Sequence, residues 1–526
     1  MAFLGGLMYA IVVLLGYSII KRIAIARRSP LRLVPGPWHT LYTPTVSQTH
    51  RFLGTKTCYI ASLHAKYGPT VRIEPNQVSS SDPANWESMH RMGSGFRKAA
   101  FHERFRVGKE HILFSIVDVR KHAARRRLFA RSLTKENVRR NWEGAVKRRV
   151  ELAVSLIKKE MTDSKDGECD MLKWWRLMAA DVIGVLSFGE GEFDMLTSNS
   201  GPGATEVGSD GKQDGDIGEE EYFEALQNAG PWIILRDTFP GWLLAAMAKL
   251  GWPKKVGEIM QANEVVTAKG AVAVRNSKKK GVENKGGMET LFRNILAEAE
   301  KEQEKEGGER DGVKELTDDA INSEAAGFLL AGSDTTSISI TYALWAILKR
   351  EDLRKKLEDE VEQQLGDNFT DKDVEENCPL LNSAIEESMR LYNPAGGPLI
   401  RRTPAEGVSW NGYFIPGATE VYVMPYTLAR NEEVFPDPDR FDETRFLDPT
   451  EAQRRLAKPF GIGSRSCIGI PVAQMELRFA VALFLRECKG ARLGKTMTDE
   501  MMQQRTKFFT YPKGGRCDIR LGDGEE

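Results

Sequence analysis

The stretch from Phe460 to Gly469, Phe-Gly-Ile-Gly-Ser-Arg-Ser-Cys-Ile-Gly, constrains this 526-residue chain more than any other. It sets one cysteine in a turn made permissive by Gly461 and Gly463, and Ile470-Pro471 then opens an apolar run, Val472 to Leu485. Proline is tolerated in a first helical turn, so a helix is expected to begin just after Cys467. A sulfur there lies near unpaired backbone N–H groups and the positive end of the helix dipole, and both favour a thiolate. Thiolate is the form that binds a metal. The bland reading of Cys467 is a small buried hydrophobe, as most free cysteines are.

Six spaced positions argue against the bland reading. Phe460, Gly461, Gly463, Arg465, Cys467 and Gly469 fit the haem-thiolate signature of the cytochrome P450 family, and the chain resembles that family. The resemblance implies haem b, iron protoporphyrin IX, with Cys467 as the axial iron ligand and an oxygen-binding position on the other face. A thiolate ligand pushes electron density toward iron and favours O–O cleavage. Arg465 matches the position that pairs with a haem propionate, and Phe460 the aromatic that shields the sulfur. Gly461 and its fellow glycines let backbone amides approach the thiolate.

Composition sets the surroundings. Lys plus Arg and Asp plus Glu are 74 each, so no net field argues for nucleic acid as a partner. The six cysteines are scattered without a CxxC pair, which suits a reducing compartment better than a disulfide framework. All seven histidines fall at or before His122, which leaves no local Cys/His cluster for zinc near Cys467.

The first 20 residues carry no charged side chain, and Lys21, Arg22, Arg27, Arg28 and Arg32 come directly after them. At about 1.5 Å per residue, 20 residues just span a bilayer core of about 30 Å. Positive charges after the apolar stretch keep the adjoining domain in the cytosol, whereas a cleaved signal peptide carries them before it. An uncleaved anchor over 1–20 and a basic, Pro-rich hinge over 21–45 are therefore expected. The catalytic domain is expected over 46–526, with a low-complexity, disordered insertion at about 197–221.

Further motifs keep the order of the family. His122 and Arg126 stand four apart on an expected basic helix, and the resemblance makes them partners of haem propionates. A helix from Asp318-Asp319 to Lys349-Arg350 holds Ala331-Gly-Ser-Asp-Thr-Thr336, polar groups that a purely structural helix has no need to bury. That hexapeptide matches the oxygen-activating motif, with Thr335 holding a water or hydroperoxide and Asp334 relaying protons. Glu387 and Arg390 share a face of a helix from about Leu380 to Tyr392, closed by Pro394. In the family this pair is buried and joined by a later arginine, here Arg445, with Arg440 the competitor. Arg402 aligns with a further propionate partner, with Arg401 the alternative register.

Two segments are read from pattern alone. Hairpins are expected around Pro75-Asn76 and at Asn411-Gly412. The apolar stretch Phe239 to Met247 is either buried core or, as in anchored relatives, a segment that dips into the bilayer with Trp242 at the interface.

The expected fold is mainly α with small β-sheets, a single haem-enclosing P450 domain behind a membrane anchor. The resemblance implies a monooxygenase that inserts one atom of O₂ into a lipophilic small molecule. Electrons come from NADPH through a separate NADPH-cytochrome P450 reductase, since no dinucleotide or flavin fingerprint is present. The implied location is the endoplasmic reticulum membrane, single-pass, with the catalytic domain cytosolic. Whole-chain character looks like fungal secondary-metabolite members. Two alternatives stand beside it: a haem-thiolate isomerase or dehydratase without O₂, and a non-catalytic haem-binding sensor.

Overall fold

The computed structural model describes residues 2–522 apart from 106, 192, 194, 199–218, 251–253, 284–288, 296 and 298–316. These residues form two compact units, 1–99 with 397–428, and 100–396 with 429–526.

The smaller unit is built on a five-stranded sheet in the order Thr70–Glu74, Gln77–Ser80, Glu420–Val423, Arg401–Arg402, Arg97–Lys98. Its first two strands pair antiparallel across Pro75-Asn76, the expected hairpin. Val71, Ile73, Tyr422 and Met424 pack with Ile60 and Leu63 as a core of their own. Val408–Trp410 and Tyr413–Ile415 form the second hairpin, and Asn411 and Gly412 at its turn both have positive φ, 48° and 84°. Asn and Gly are the residues that adopt that conformation at least cost, which is why the pair marks the turn in the sequence.

A helix runs from Ala2 to Arg28, through the basic cluster rather than ending before it. Among the described residues no helix is long and apolar enough to cross a membrane.

The larger unit is helical, organised around Asp318–Leu348. Thr317 caps this helix by accepting from Ala320 N–H, Asp318 and Asp319 stand in its first turn, and most of its side chains are buried. Met171–Phe188, Lys254–Glu283 and Ile470–Glu487 pack on it. Burial on nearly every face explains why its apolar residues are not confined to one stripe, and it encloses Ser333, Asp334, Thr336 and Ser337 among them. Small strands complete the unit: Glu168–Asp170, Asp518–Arg520 and Arg492–Leu493 as one sheet, Gln504–Thr506 and Thr510–Pro512 as a terminal hairpin.

The expected insertion at 197–221 lies outside the described residues over 199–218, and its two ends belong to the helices Met195–Ser198 and Glu219–Thr238. The apolar stretch Phe239 to Met247 is broken at Pro240, where one helix has ended and Gly241–Lys249 begins. Trp242 is 73% exposed there and Leu244 is the buried residue, so this stretch is no core segment. All six cysteines are free thiols.

Candidate haem-binding and oxygen-activating site

The cysteine loop closes on itself. Cys467 N–H donates to the Phe460 carbonyl at 2.9 Å, Gly461 N–H to Lys458, and Ser466 N–H to Gly463. Gly461 and Gly463 both take φ of 71°, a left-handed conformation that costs other residues about 1–2 kcal/mol. The helix Ile470–Glu487 starts three residues after Cys467 with Pro471 in its first turn. At Gly469 a Cβ would stand 3.9 Å from the Cys467 sulfur, so the backbone passes close to it.

Cys467 is open to solvent by surface, yet lies deep enough that burial dominates its chemistry. It therefore lines an interior hollow. Burial pushes its thiol above the ordinary value, against the opposing pull of the Gly469 N–H and the Arg126 guanidinium. Both attractions have the sign expected near a helix start, but desolvation outweighs them.

Two arginines stand over this loop. Arg126, on the helix Val119–Ala130, donates to the Ser466 carbonyl at 2.8 Å. Arg465 donates to the carbonyls of Ile116 and Val117 at 3.1 and 3.4 Å. Burial and the neighbouring Arg126 push Arg465 down to about 10. Both guanidiniums rest on carbonyl oxygens, an arrangement short of negative charge. His122 is buried one turn before Arg126. Phe460 is half-buried against the main core.

The central helix exposes one stripe in a buried surround. Phe328, Ala331, Gly332 and Thr335, at spacing i, i+3, i+4, i+7, are exposed or half-buried while their neighbours are closed in. Thr335 Oγ1 still donates to the Ala331 carbonyl at 2.7 Å, the ordinary back-bond of a helical threonine. Asp334 points away from this stripe and is fully buried. Its Oδ1 accepts from Arg176 Nε at 2.9 Å and its Oδ2 from the Tyr511 hydroxyl at 2.6 Å. Asp334 and Thr335 are thus adjacent in sequence but held apart by their partners.

Sequence reasoning missed both partners. Arg176 had a visible signal, a lone guanidinium in the apolar helix Met171–Phe188. Tyr511 had none. Also unread was Glu476, buried on the helix after Cys467, hydrogen-bonded to Thr336, and pushed by burial up to about 8.

The expected structural pair is complete. Arg390 Nε and Nη2 each donate to Glu387 at 2.7 Å, and neither side chain is exposed. Arg445 Nε joins Glu387 at 3.2 Å, as does the Asp442 N–H at 3.0 Å. The competitor Arg440 pairs with Asp442 at the surface instead. Arg402 lies exposed in the sheet of the smaller unit, whereas Arg401 beside it is buried near His90.

The family model described as Cytochrome P450 matches residues 45–517. The chain belongs to the cytochrome P450 family. This P450 is 36% identical over 514 residues to the cytochrome P450 monooxygenase stcB of Emericella nidulans, covering 96% of this chain and 91% of the relative. It is 35% identical to the monooxygenase cypX of Dothistroma septosporum, with 96% and 94% covered. Over 80% of the chain and 86% of the relative it is 28% identical to the methylphloroacetophenone oxidase of Cladonia uncialis.

Membership brings haem, a cysteine thiolate, a reductase partner, O₂ and a small-molecule substrate, and makes this P450 a haem-thiolate monooxygenase. The residues at the site fit the cofactor. A lone deep thiol in an open hollow is a soft donor for iron. Two half-buried guanidiniums resting on carbonyls match the anionic propionates.

Proposed function

We propose that this P450 oxidises a lipophilic small molecule in fungal secondary metabolism, by hydroxylation, epoxidation or desaturation. Bound haem supplies reductive activation of O₂ and delivery of one oxygen atom to substrate. Cys467 would hold the iron as a thiolate, the form in which a cysteine ligates metal. Arg126 and Arg465 orient the propionates, with His122 behind Arg126. Arg402, with Arg401 as the alternative register, is a further candidate partner of a propionate. Phe460 keeps water from the sulfur.

Thr335 holds a proton donor at Oγ1, within the stripe open toward substrate. Asp334 resupplies that proton. The observation that carries this reading is the oxygen-side stripe itself, four solvent-reachable positions in the middle of a largely buried helix with the Thr335 hydroxyl at the end of the stripe. A haem-thiolate isomerase has less need of the acid and alcohol pair, so Asp334 and Thr335 argue against that reading.

The test is turnover with NADPH and reductase under oxygen. Thr335→Ala is expected to keep NADPH oxidation within a few-fold of the parent, while most of the electrons leave as hydrogen peroxide instead of product. Product formation indifferent to both oxygen and reductase would remove the monooxygenase reading.

We further infer a single-pass anchor over residues 1–20 in the endoplasmic reticulum membrane, with the catalytic part cytosolic. The uncharged first 20 residues and the basic cluster after them support it. Exposed Trp242 and Leu250, 73% and 80%, suit a second contact with lipid.

A further inference from the structure

Both oxygens of Asp334 are occupied, one by Arg176 and one by Tyr511. The Thr335 hydroxyl meanwhile is turned to the Ala331 carbonyl. A proton can pass from Asp334 toward Thr335 only after one carboxylate oxygen is released. The two partners differ in how firmly they are held. Arg176 projects from the middle of an 18-residue helix whose side chains are nearly all buried. Tyr511 projects from a hairpin of two three-residue strands, and a two-stranded ribbon is the least self-sufficient element in the unit.

The same hairpin carries an aromatic cluster at its tip. The Phe508 ring lies 4.9 Å from Phe105, 6.0 Å from Phe114, 6.5 Å from Phe101 and 4.7 Å from Phe509. Phe105 is buried, but Phe101, Phe114, Phe508 and Phe509 are only partly covered. Anything apolar that lodges among these rings pushes on the hairpin two or three residues from Tyr511. Gly230 flanks the phenol: a Cβ there would meet its hydroxyl at 3.8 Å, in ordinary van der Waals contact.

A second phenol stands close by. Tyr222, on the helix Glu219–Thr238, is fully buried, and its hydroxyl has no hydrogen-bond partner among the described residues. The negative charges of Asp334 and Asp181 both act on it. Burying an unsatisfied hydroxyl is unfavourable, which makes Tyr222 a competing donor for the Asp334 carboxylate.

We propose that Tyr511 is a positioning residue: its hydroxyl latches Asp334 away from Thr335, and displacement of the Phe508–Phe509 hairpin by an apolar substrate opens the latch. Arg176 keeps its hold on Oδ1 throughout, while the released Oδ2 takes up a proton from water and hands it on toward Thr335. The groups facing Asp334 are therefore Arg176, Tyr511 and Tyr222, from three different elements. This inference rests on the monooxygenase reading, but the latch itself can be measured without turnover.

The full-length, haem-loaded chain is compared as parent, Tyr511→Phe and Asp334→Asn by hydrogen exchange over the backbone of residues 504–512. A hydrogen bond to a buried carboxylate is strong, so its loss is expected to speed exchange there about tenfold in both variants, with the carbon monoxide spectrum retained. The solvent isotope effect on NADPH oxidation is expected to fall toward one in Tyr511→Phe, because freeing the acid no longer limits proton delivery. Unchanged exchange in both variants overturns the latch. Faster exchange with an unaltered isotope effect overturns its positioning role and leaves a structural contact. Should Tyr511→Phe lose its spectrum, Asp334→Asn alone decides the exchange result. Parent protein that exchanges as expected but oxidises no NADPH with reductase contradicts the monooxygenase reading and leaves the latch standing.

Discussion

Glu476 shows how far burial can move a single group. It is enclosed between the helix after Cys467 and the central helix, with Thr336 as its hydrogen-bond partner, and burial pushes it up to about 8. An acid raised in the folded state binds a proton there that the unfolded chain has lost. Stability therefore falls as pH rises from the usual glutamate range to about 8, and levels off above it. Glu476→Gln keeps the neutral shape and is expected to flatten that slope. Thermal midpoints at pH 5 and pH 8 check this: they should differ by less in the variant than in the parent. An identical slope in both contradicts the burial argument.

The motif residues were legible one by one because local rules act on them. Spacing of three or four places Glu387 with Arg390 and His122 with Arg126, and glycine at positive φ shapes the turn before Cys467. Arg176 and Tyr511 obey no local rule with Asp334, standing 158 and 177 residues from it. Such pairings exist only once helix packing has brought the elements together. Likewise the rise of the Cys467 thiol depends on how deeply the loop is set, which no window of sequence contains.

Among elements, the central helix and the Glu387 helix were legible nearly to the residue. The expected spans Asp318 to Arg350 and Leu380 to Tyr392 compare with Asp318–Leu348 and Pro379–Leu391. Caps and terminal charges mark these ends directly. The Phe239 to Met247 stretch was ambiguous because a short apolar run reads alike as core or surface until its neighbours are known.

The Glu387 element also carries a stability prediction. Glu387 holds Arg390 through two bonds and Arg445 through a third, while Arg390 continues to the carbonyls of Ala429 and Pro438 at 2.6 and 2.7 Å. Glu387→Gln leaves two arginines without their counter-charge at a closed site, at an expected cost of about 3–5 kcal/mol. Denaturant unfolding of the purified variant measures it. A loss below about 1 kcal/mol would mean that water or backbone carbonyls compensate the guanidiniums.

At the scale of the whole molecule, the chain joins a helical unit bearing cysteine loop and oxygen-side stripe to a smaller sheet unit that comes after the amino-terminal helix. If residues 1–20 anchor the protein, deleting them is expected to move a large share of it out of the membrane pellet at alkaline pH, while folding is kept. Material that remains in the pellet to the same extent contradicts the single-pass reading.

The central claim is a bond between the Cys467 sulfur and haem iron, since the glycine turn, the paired arginines and the stripe around Thr335 have no shared purpose without it. The most direct measurement is the spectrum of the reduced protein under carbon monoxide. The account predicts the long-wavelength Soret band of thiolate coordination in the parent and its loss in Cys467→Ala. Folded, haem-loaded parent without that band, or a Cys467→Ala variant that keeps it, would contradict the account.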